Sequence, residues 1–195
     1  MRRGFKAWCE KTAIDYRGEL GIEVADRLNP KDLAQHLGVL VWKPEDIPDF
    51  DHRSLHQLTQ ADPESWSAVT IRIAESHLTI VNSTHSRARQ RSSLCHELSH
   101  LILKHEPDRI DLSPDGHLLL SSYEGDKEEE ADWLSSTLLV PRAGLQKKYR
   151  STRNSRALAN HFGVSADMLN WRLRMTGVVI QTNRARAWAR RRAGI

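Results

Sequence analysis

The chain has 195 residues and a net charge of +4, with 39% apolar and 28% charged residues. This composition is typical of one globular domain, or of one domain with a short appendage, and it excludes a largely disordered chain. No apolar run approaches the roughly 20 residues that span a bilayer, and no apolar segment follows the basic N-terminal residues, so neither a membrane helix nor a secretory signal is expected. Two cysteines, Cys9 and Cys95, are too few for a disulfide framework, and we expect a cytoplasmic protein.

The charge is unevenly distributed along the chain. Residues 1–141 contain 16 Lys and Arg against 24 Asp and Glu, whereas residues 142–195 contain 13 Lys and Arg and one acidic residue, Asp167. The first part therefore carries −8 and the second +12. A basic segment on an acidic body indicates an anionic partner, either nucleic acid or an acidic protein surface.

Helix caps, glycines and alternating apolar residues predict the elements of the first half. The Asn29-Pro30 pair starts a helix that ends at Gly38, and a hairpin is expected around residues 74–76. In chain order, the predictions are a helix over 5–20, a helix over 30–37, a strand over 39–42, a short helix around 53–60, and strands over 66–73 and 77–81.

The second half is predicted to be mainly helical. A helix follows the capping residues 82–85 and runs to about His105, with an apolar face that includes Leu94, Leu98 and Leu101. The remaining predictions are an irregular segment over 106–125 with a short strand at 117–120, helices over 126–139, 153–162 and 166–175, a strand over 178–180, and a basic tail over 184–195.

The segment His96-Glu97-Leu98-Ser99-His100 is an H-E-x-x-H motif within the long predicted helix. Four residues advance a helix by about 400°, so the two histidines project side by side, one turn apart. Two neutral imidazoles in this arrangement can hold one zinc ion, and Glu97 can take a proton from a bound water. An accidental pair of histidines on a solvated helix is disfavoured, because the motif lies among apolar residues.

A third ligand is required, and the next helix offers carboxylates. His105 would point about 140° away from His100 on a continuous helix, so we expect it only to interact with the helix dipole. Glu128 and Asp132 share one face at i, i+4, which suits a ligand and a second carboxylate that accepts from a ligand histidine. First-turn glutamates also complement the helix dipole, so one or two of the three need have no other role. The apolar Ala131, Leu134 and Leu138 place the buried face nearer Glu128 than Glu129, and Glu130 is the second choice for the ligand.

These segments resemble the ImmA/IrrE family of zinc metallopeptidases over most of the chain. The resemblance rests on HLTIVN followed by RARQRSSLCHELSHLILKH, on EEEADWLSSTLLVP, and on LANHFGVSADMLNWRL, in the family's order. Several positions depart from the family pattern, which usually has Gly at Ser99, Phe at Ser92, Ala at Cys95, and smaller apolar residues at sites that include Trp133 and Trp171. We interpret Cys95 as a small core residue.

The resemblance implies an α+β, zincin-like domain over residues 1–150, with a small, mainly antiparallel sheet packed against the H-E-x-x-H helix. A helix-turn-helix-like pair with a basic tail would follow over residues 151–195 and pack on that domain. It also implies a Zn²⁺ ion on His96, His100 and Glu128, Asp132 as the second carboxylate, and Glu97 as the catalytic base. His117 and Tyr123 are weaker candidates for stabilising the oxyanion.

The same resemblance implies that the substrate is a helix-turn-helix repressor or an antitoxin. Two other functions stay open on the sequence. Residues 157–173 match a generic helix-turn-helix pattern, so a DNA-binding regulator is the first alternative. A non-catalytic module stabilised by zinc is the second, and the presence of Glu97 is unfavourable to it.

Overall fold

The computed structural model describes residues 1–73, 76–106, 123 and 125–192. Within these ranges the chain forms a three-stranded sheet packed against helices, so the expectation of an α+β fold is confirmed. The helices are α1 (Phe5–Glu19), α2 (Pro30–His36), α3 (His52–His56), α4 (Arg87–Leu103), α5 (Gly125–Leu139), α6 (Arg142–Ser151), α7 (Ser155–Phe162), α8 (Ala166–Thr176) and α9 (Val178–Arg192). The strands are β1 (Val39–Trp42), β2 (Ala68–Ile73) and β3 (Ser76–Val81).

The sheet has the order β1-β3-β2 and is mixed rather than mainly antiparallel. Strands β2 and β3 form the predicted hairpin and pair antiparallel, whereas β1 pairs with β3 in parallel, with Leu40 opposite Leu78. The parallel pair is possible because the long segment between β1 and β3 leaves room for the chain to return in the same direction. The strand predicted at 117–120 lies outside the described residues.

Helix α4 lies between the sheet and α5, and its buried side chains join the two layers. Leu94 and Leu98 of α4 pack in the same core as Leu134 and Leu138 of α5, and each of the four is at most 3% exposed. Together they place α4, and with it the H-E-x-x-H motif, at the centre of the molecule.

The C-terminal part differs from the prediction in two places. Residues 178–180 begin helix α9 instead of forming a strand, although their β-branched side chains favour a strand. The helix buries Val178 and Thr182, which are one turn apart, so packing prevails over the local preference. Helix α6 was not predicted; it begins after Pro141, and a Cβ at its Gly144 would lie 2.2 Å from the carbonyl oxygen of Val24.

Two buried arginines bind the carbonyl groups at the end of α5. Arg17 of α1 donates to Leu138 O at 2.7 Å, and Arg172 of α8 donates to Val140 O at 2.9 Å. Arg172 also donates to Glu10 Oε1 at 2.6 Å. The last carbonyls of a helix have no partner within it, so these side chains satisfy groups that would otherwise be buried unpaired.

The described residues contain no helix that is both long enough and apolar enough to cross a membrane. The division into a unit of residues 1–150 and a unit of 151–195 stays a prediction. Helix α8 nevertheless contacts both α5 and α6, and α9 contacts α6.

We expect Arg172→Met to lower the free energy of unfolding by about 3 kcal/mol, because it leaves Val140 O and the Glu10 carboxylate without their buried donor. Urea denaturation followed by circular dichroism would measure the change. Arg174→Met, at an exposed position of the same helix, is the control and should lie within about 0.5 kcal/mol of the wild type. Equal losses in the two variants would contradict a special role for Arg172.

Candidate metal centre

Helix α4 presents the histidines of the motif toward one side of the molecule. Ser86 caps the helix, and its hydroxyl oxygen accepts from Arg89 N. His96 and His100 lie one turn apart, as their spacing predicts, and their ring centroids are 4.8 Å from each other. The side chain of His100 is 2% exposed and that of His96 is 23% exposed, so the pair lies at the inner end of a cleft.

Glu128 of α5 completes a cluster of three ligand atoms around one point. The two Nε2 atoms of His96 and His100 are 3.0 Å apart, and Glu128 oxygens lie 3.1 Å from His96 Nε2 and 3.6 Å from His100 Nε2. Two ligands of a tetrahedral zinc ion, each about 2.0–2.1 Å from the metal, are roughly 3.3 Å apart. The spacing therefore fits one metal ion, and among the described residues this is the group of His and carboxylate side chains that can hold one.

Small side chains let α4 and α5 approach each other beside this cluster. The small buried side chains of the two helices include Cys95 and Ser99 of α4 and Ala131 and Ser135 of α5, each at most 3% exposed. The Cys95 thiol donates to Ser135 O at 3.5 Å, and the Ser99 hydroxyl donates to Cys95 O at 2.8 Å. Burial raises the pKa of the Cys95 thiol to about 12, so Cys95 is a protonated core residue, as interpreted from the sequence.

Asp132 contacts the far side of the His96 ring, where the sequence placed a second carboxylate. Its Oδ1 lies 2.9 Å from His96 Nδ1. Because an ionised carboxylate only accepts hydrogen bonds, Nδ1 carries the hydrogen of the neutral ring, and the Nε2 lone pair faces His100 and Glu128. Asp132 thus fixes the tautomer of His96 that can bind a metal.

His105 has the corresponding position behind His100, and the sequence analysis missed it. Its Nδ1 lies 3.1 Å from His100 Nδ1, and its Nε2 lies 3.5 Å from Glu130 Oε2. Since the carboxylate accepts from Nε2, Nδ1 of a neutral His105 accepts from His100 Nδ1–H, and the Nε2 lone pair of His100 faces the cluster. Glu130, the second choice for the ligand, therefore lies behind the histidines and contacts His105.

The way in which α4 ends explains why the sequence-based prediction for His105 was wrong. The helix stops at Leu103, and Lys104 has a left-handed backbone with φ of 55°. This turn lets His105 N donate to His100 O at 2.9 Å and brings the His105 ring back over His100. The expected separation of 140° assumed a continuous helix, which the left-handed residue interrupts.

The electrostatic environment differs among the three histidines, and it favours the neutral form of His100 and His105. Burial, together with the neighbouring His96 and His105, lowers the pKa of His100 to about 3, and burial lowers the pKa of His105. Burial also acts to lower the pKa of His96, but the hydrogen bond and charge of Asp132, with Glu128 and Glu97, raise it overall. The same negative charges favour a bound cation.

Glu97 is held beside the cluster by the edge strand β2. Burial raises the pKa of its carboxyl group, and hydrogen bonds from the Thr70 hydroxyl and backbone N–H oppose that shift. The Thr70 hydroxyl is itself 2.9 Å from the Thr79 hydroxyl, so it has a fixed partner in the sheet. A glutamate with a raised pKa and a fixed orientation suits a group that accepts and returns a proton.

The three candidate ligands, called the metal cluster below, face a cleft of about 890 Å³ between β2, α5 and α8. Glu97 and the three cluster residues all line it. The Tyr123 ring stacks on His100, with 3.7 Å between ring centroids, so this candidate for oxyanion stabilisation is at the site. His117 lies outside the described residues.

Two histidines one turn apart, a carboxylate from the next helix and a neighbouring glutamate form a site of the kind that metallopeptidases use. Residues 48–174 match the family described as the IrrE N-terminal-like domain (Peptidase_M78), and the chain belongs to this family of metallopeptidases. The resemblance inferred from the sequence is thereby confirmed.

Other comparisons show only distant similarity. No curated protein matches the chain. A solved structure described as a Mycobacterium tuberculosis transcriptional regulator is similar at 13% identity and a TM-score of 0.48, over 88% of this chain and 47% of that one. The chain thus spans about half the length of that protein.

We expect the purified wild-type protein to hold about one zinc ion per chain and Glu128→Ala to hold markedly less, because two imidazoles alone bind zinc weakly. Elemental analysis of proteins purified identically without chelator would measure the ratio. Glu129→Ala removes the neighbouring exposed carboxylate and should retain zinc. Full zinc in Glu128→Ala together with loss in Glu130→Ala would instead identify Glu130 as the ligand.

His105→Ala should weaken zinc binding about 10- to 100-fold, because His100 loses the group that fixes its tautomer and orientation. Competition with a chelator of known zinc affinity would measure the effect. His36→Ala removes an exposed histidine that contacts Glu19 and should bind zinc like the wild type. Unchanged affinity in His105→Ala would show that His100 needs no such support.

Proposed function

We propose that this protein is a zinc-dependent endopeptidase. The observation that carries the proposal is the convergence of His96, His100 and Glu128 on one point, with Glu97 beside them, at the wall of a cleft in a member of a metallopeptidase family. A site with three protein ligands leaves a position for water, whereas purely structural zinc sites generally have four protein ligands. This argument also disfavours a non-catalytic zinc module.

The residues of the chain have separate roles in the proposed reaction. His96, His100 and Glu128 would hold the ion, which acidifies a water molecule and polarises the scissile carbonyl. Glu97 accepts a proton from the attacking water and transfers it to the leaving amine. Asp132 and His105 would keep the two imidazoles in the required tautomer, and Tyr123, whose ring stacks on His100, would stabilise the oxyanion.

We further propose that the substrate is a helix-turn-helix repressor or an antitoxin in the cytoplasm. The support for this substrate is the family resemblance of the three motif segments. The basic C-terminal region adds a means of approaching a substrate that is itself bound to DNA, because its positive charge attracts phosphates.

The alternative of a DNA-binding regulator fits the structure less well. In a helix-turn-helix, side chains of the second helix read base edges. The second helix here is α8, and its Met168, Trp171 and Met175 line the same cleft as the metal cluster. Its buried face includes Leu169, Arg172 and Leu173, and the exposed face that remains carries Ala166, Asp167, Asn170 and Arg174. The acidic Asp167 in the first turn is unfavourable for a helix that enters a DNA groove, because it repels the phosphates.

Glu97→Gln should abolish cleavage, with a loss of at least about 100-fold, because the amide cannot accept the proton. The zinc-loaded full chain would be incubated with purified helix-turn-helix repressors and antitoxins of the same organism, and new fragments would be identified by intact mass. The variant must retain zinc and its circular dichroism spectrum. Cleavage that continues in Glu97→Gln would contradict the proposed base, and a cellular effect that survives in this variant would favour the non-catalytic module.

A further inference from the structure

Helix α8 provides part of the wall of the cleft that contains the metal cluster. Met168, Trp171 and Met175 lie at i, i+3 and i+7, so they share one face of the helix. All three line the cleft, together with Trp133 of α5. Leu169 and Arg172, on the neighbouring face of α8, are fully buried. Their burial fixes the rotation of the helix, so the face with the two methionines and Trp171 is held toward the cleft.

The two tryptophans form the base of this part of the cleft. The rings of Trp133 and Trp171 meet edge to face, with 4.9 Å between their centroids and 70° between their planes. The Lys6 ammonium lies 3.8 Å from the centroid of the Trp133 ring and covers one side of that ring. Trp133 is 8% exposed, because these groups cover it.

The thioether side chains leave this surface accessible and adaptable. Met168 and Trp171 are half-buried, and Met175 is 47% exposed. Unbranched thioethers change shape at little cost and pack well against aromatic rings. A charged side chain placed here would lose its hydration, whereas a large apolar side chain would gain contacts.

Trp133, Met168, Trp171 and Met175 line the same cleft as Glu97 and the three candidate ligands His96, His100 and Glu128. The apolar surface and the metal cluster are thus adjacent parts of one cavity. A peptide whose scissile carbonyl reaches the cluster therefore has a neighbouring side chain within reach of this surface.

We propose that Trp133, Met168, Trp171 and Met175 form a specificity subsite that accepts a large apolar side chain of the peptide next to the scissile bond. This inference rests on the proposed peptidase function and adds the class of residue that the enzyme selects. It also gives the C-terminal helix pair a role in substrate selection.

The test uses hydroxamic acids, which bind zinc directly and report on the subsite without any cleavage. Calorimetry would measure the binding of four compounds to the zinc-loaded full chain. They are acetohydroxamic acid itself and three analogues, which carry a benzyl, an isobutyl or an aminobutyl side chain. We expect the apolar analogues to bind about 10-fold or more tighter than acetohydroxamic acid, as for an apolar group entering an apolar pocket.

Two variants separate the subsite from the metal cluster. Trp171→Ala should remove the advantage of the apolar analogues and leave acetohydroxamic acid unaffected. Met175→Glu changes an exposed position, so the fold should tolerate it, and it should shift the preference toward the aminobutyl analogue. Trp188→Ala, at a tryptophan of α9 that is 60% exposed and outside the cleft, is the matched control and should behave like the wild type.

The outcomes distinguish this inference from the function on which it rests. Binding of acetohydroxamic acid without any preference among side chains would overturn the subsite and leave the metal centre intact. An apolar preference that persists in both Trp171→Ala and Met175→Glu would also overturn it. Absence of zinc, or of acetohydroxamic acid binding to the zinc-loaded protein, would overturn the peptidase function and the subsite together.

Discussion

The close contact of α4 with α5 is the constraint on which the candidate site depends. The side chains Cys95, Ser99, Ala131 and Ser135 are small, so the two helices approach closely and Glu128 reaches the histidines. A larger residue at Cys95 or Ser135, which contact each other across the two helices, would separate the ligand atoms, whose present spacings of 3.0–3.6 Å suit one ion. The serine at position 99 is accommodated because its hydroxyl bonds back to Cys95 O.

The parts of the site that depend on spacing within one helix were predictable from the sequence. His96 and His100 are adjacent in any helix, and so are Glu128 and Asp132. The apolar residues Leu134 and Leu138 indicated in advance that the buried face of α5 lies nearer Glu128 than Glu129, whereas the contact of Glu130 with His105 was not indicated. His105 was not predictable in this way, because its position depends on one left-handed residue, Lys104, for which the sequence gives no strong signal.

The fold shows the same division between local and non-local information. Caps and glycines located α2, α7 and α8 closely, since these signals act on neighbouring residues. The parallel pairing of β1 with β3 and the helical state of residues 178–180 depend on partners distant in the sequence. In α9, the burial of Val178 outweighed the β preference of three successive residues.

The two arginines at the end of α5 connect the folding of this helix to the order of protein synthesis. Arg17 has left the ribosome long before Leu138 appears, whereas Arg172 follows its acceptor Val140 by 32 residues. While the chain is being made, α5 therefore has its first partner available but not its second. The end of the helix that carries Glu128 thus receives its second arginine only when α8 emerges, so residues from both ends of the chain meet at this point in the folded protein.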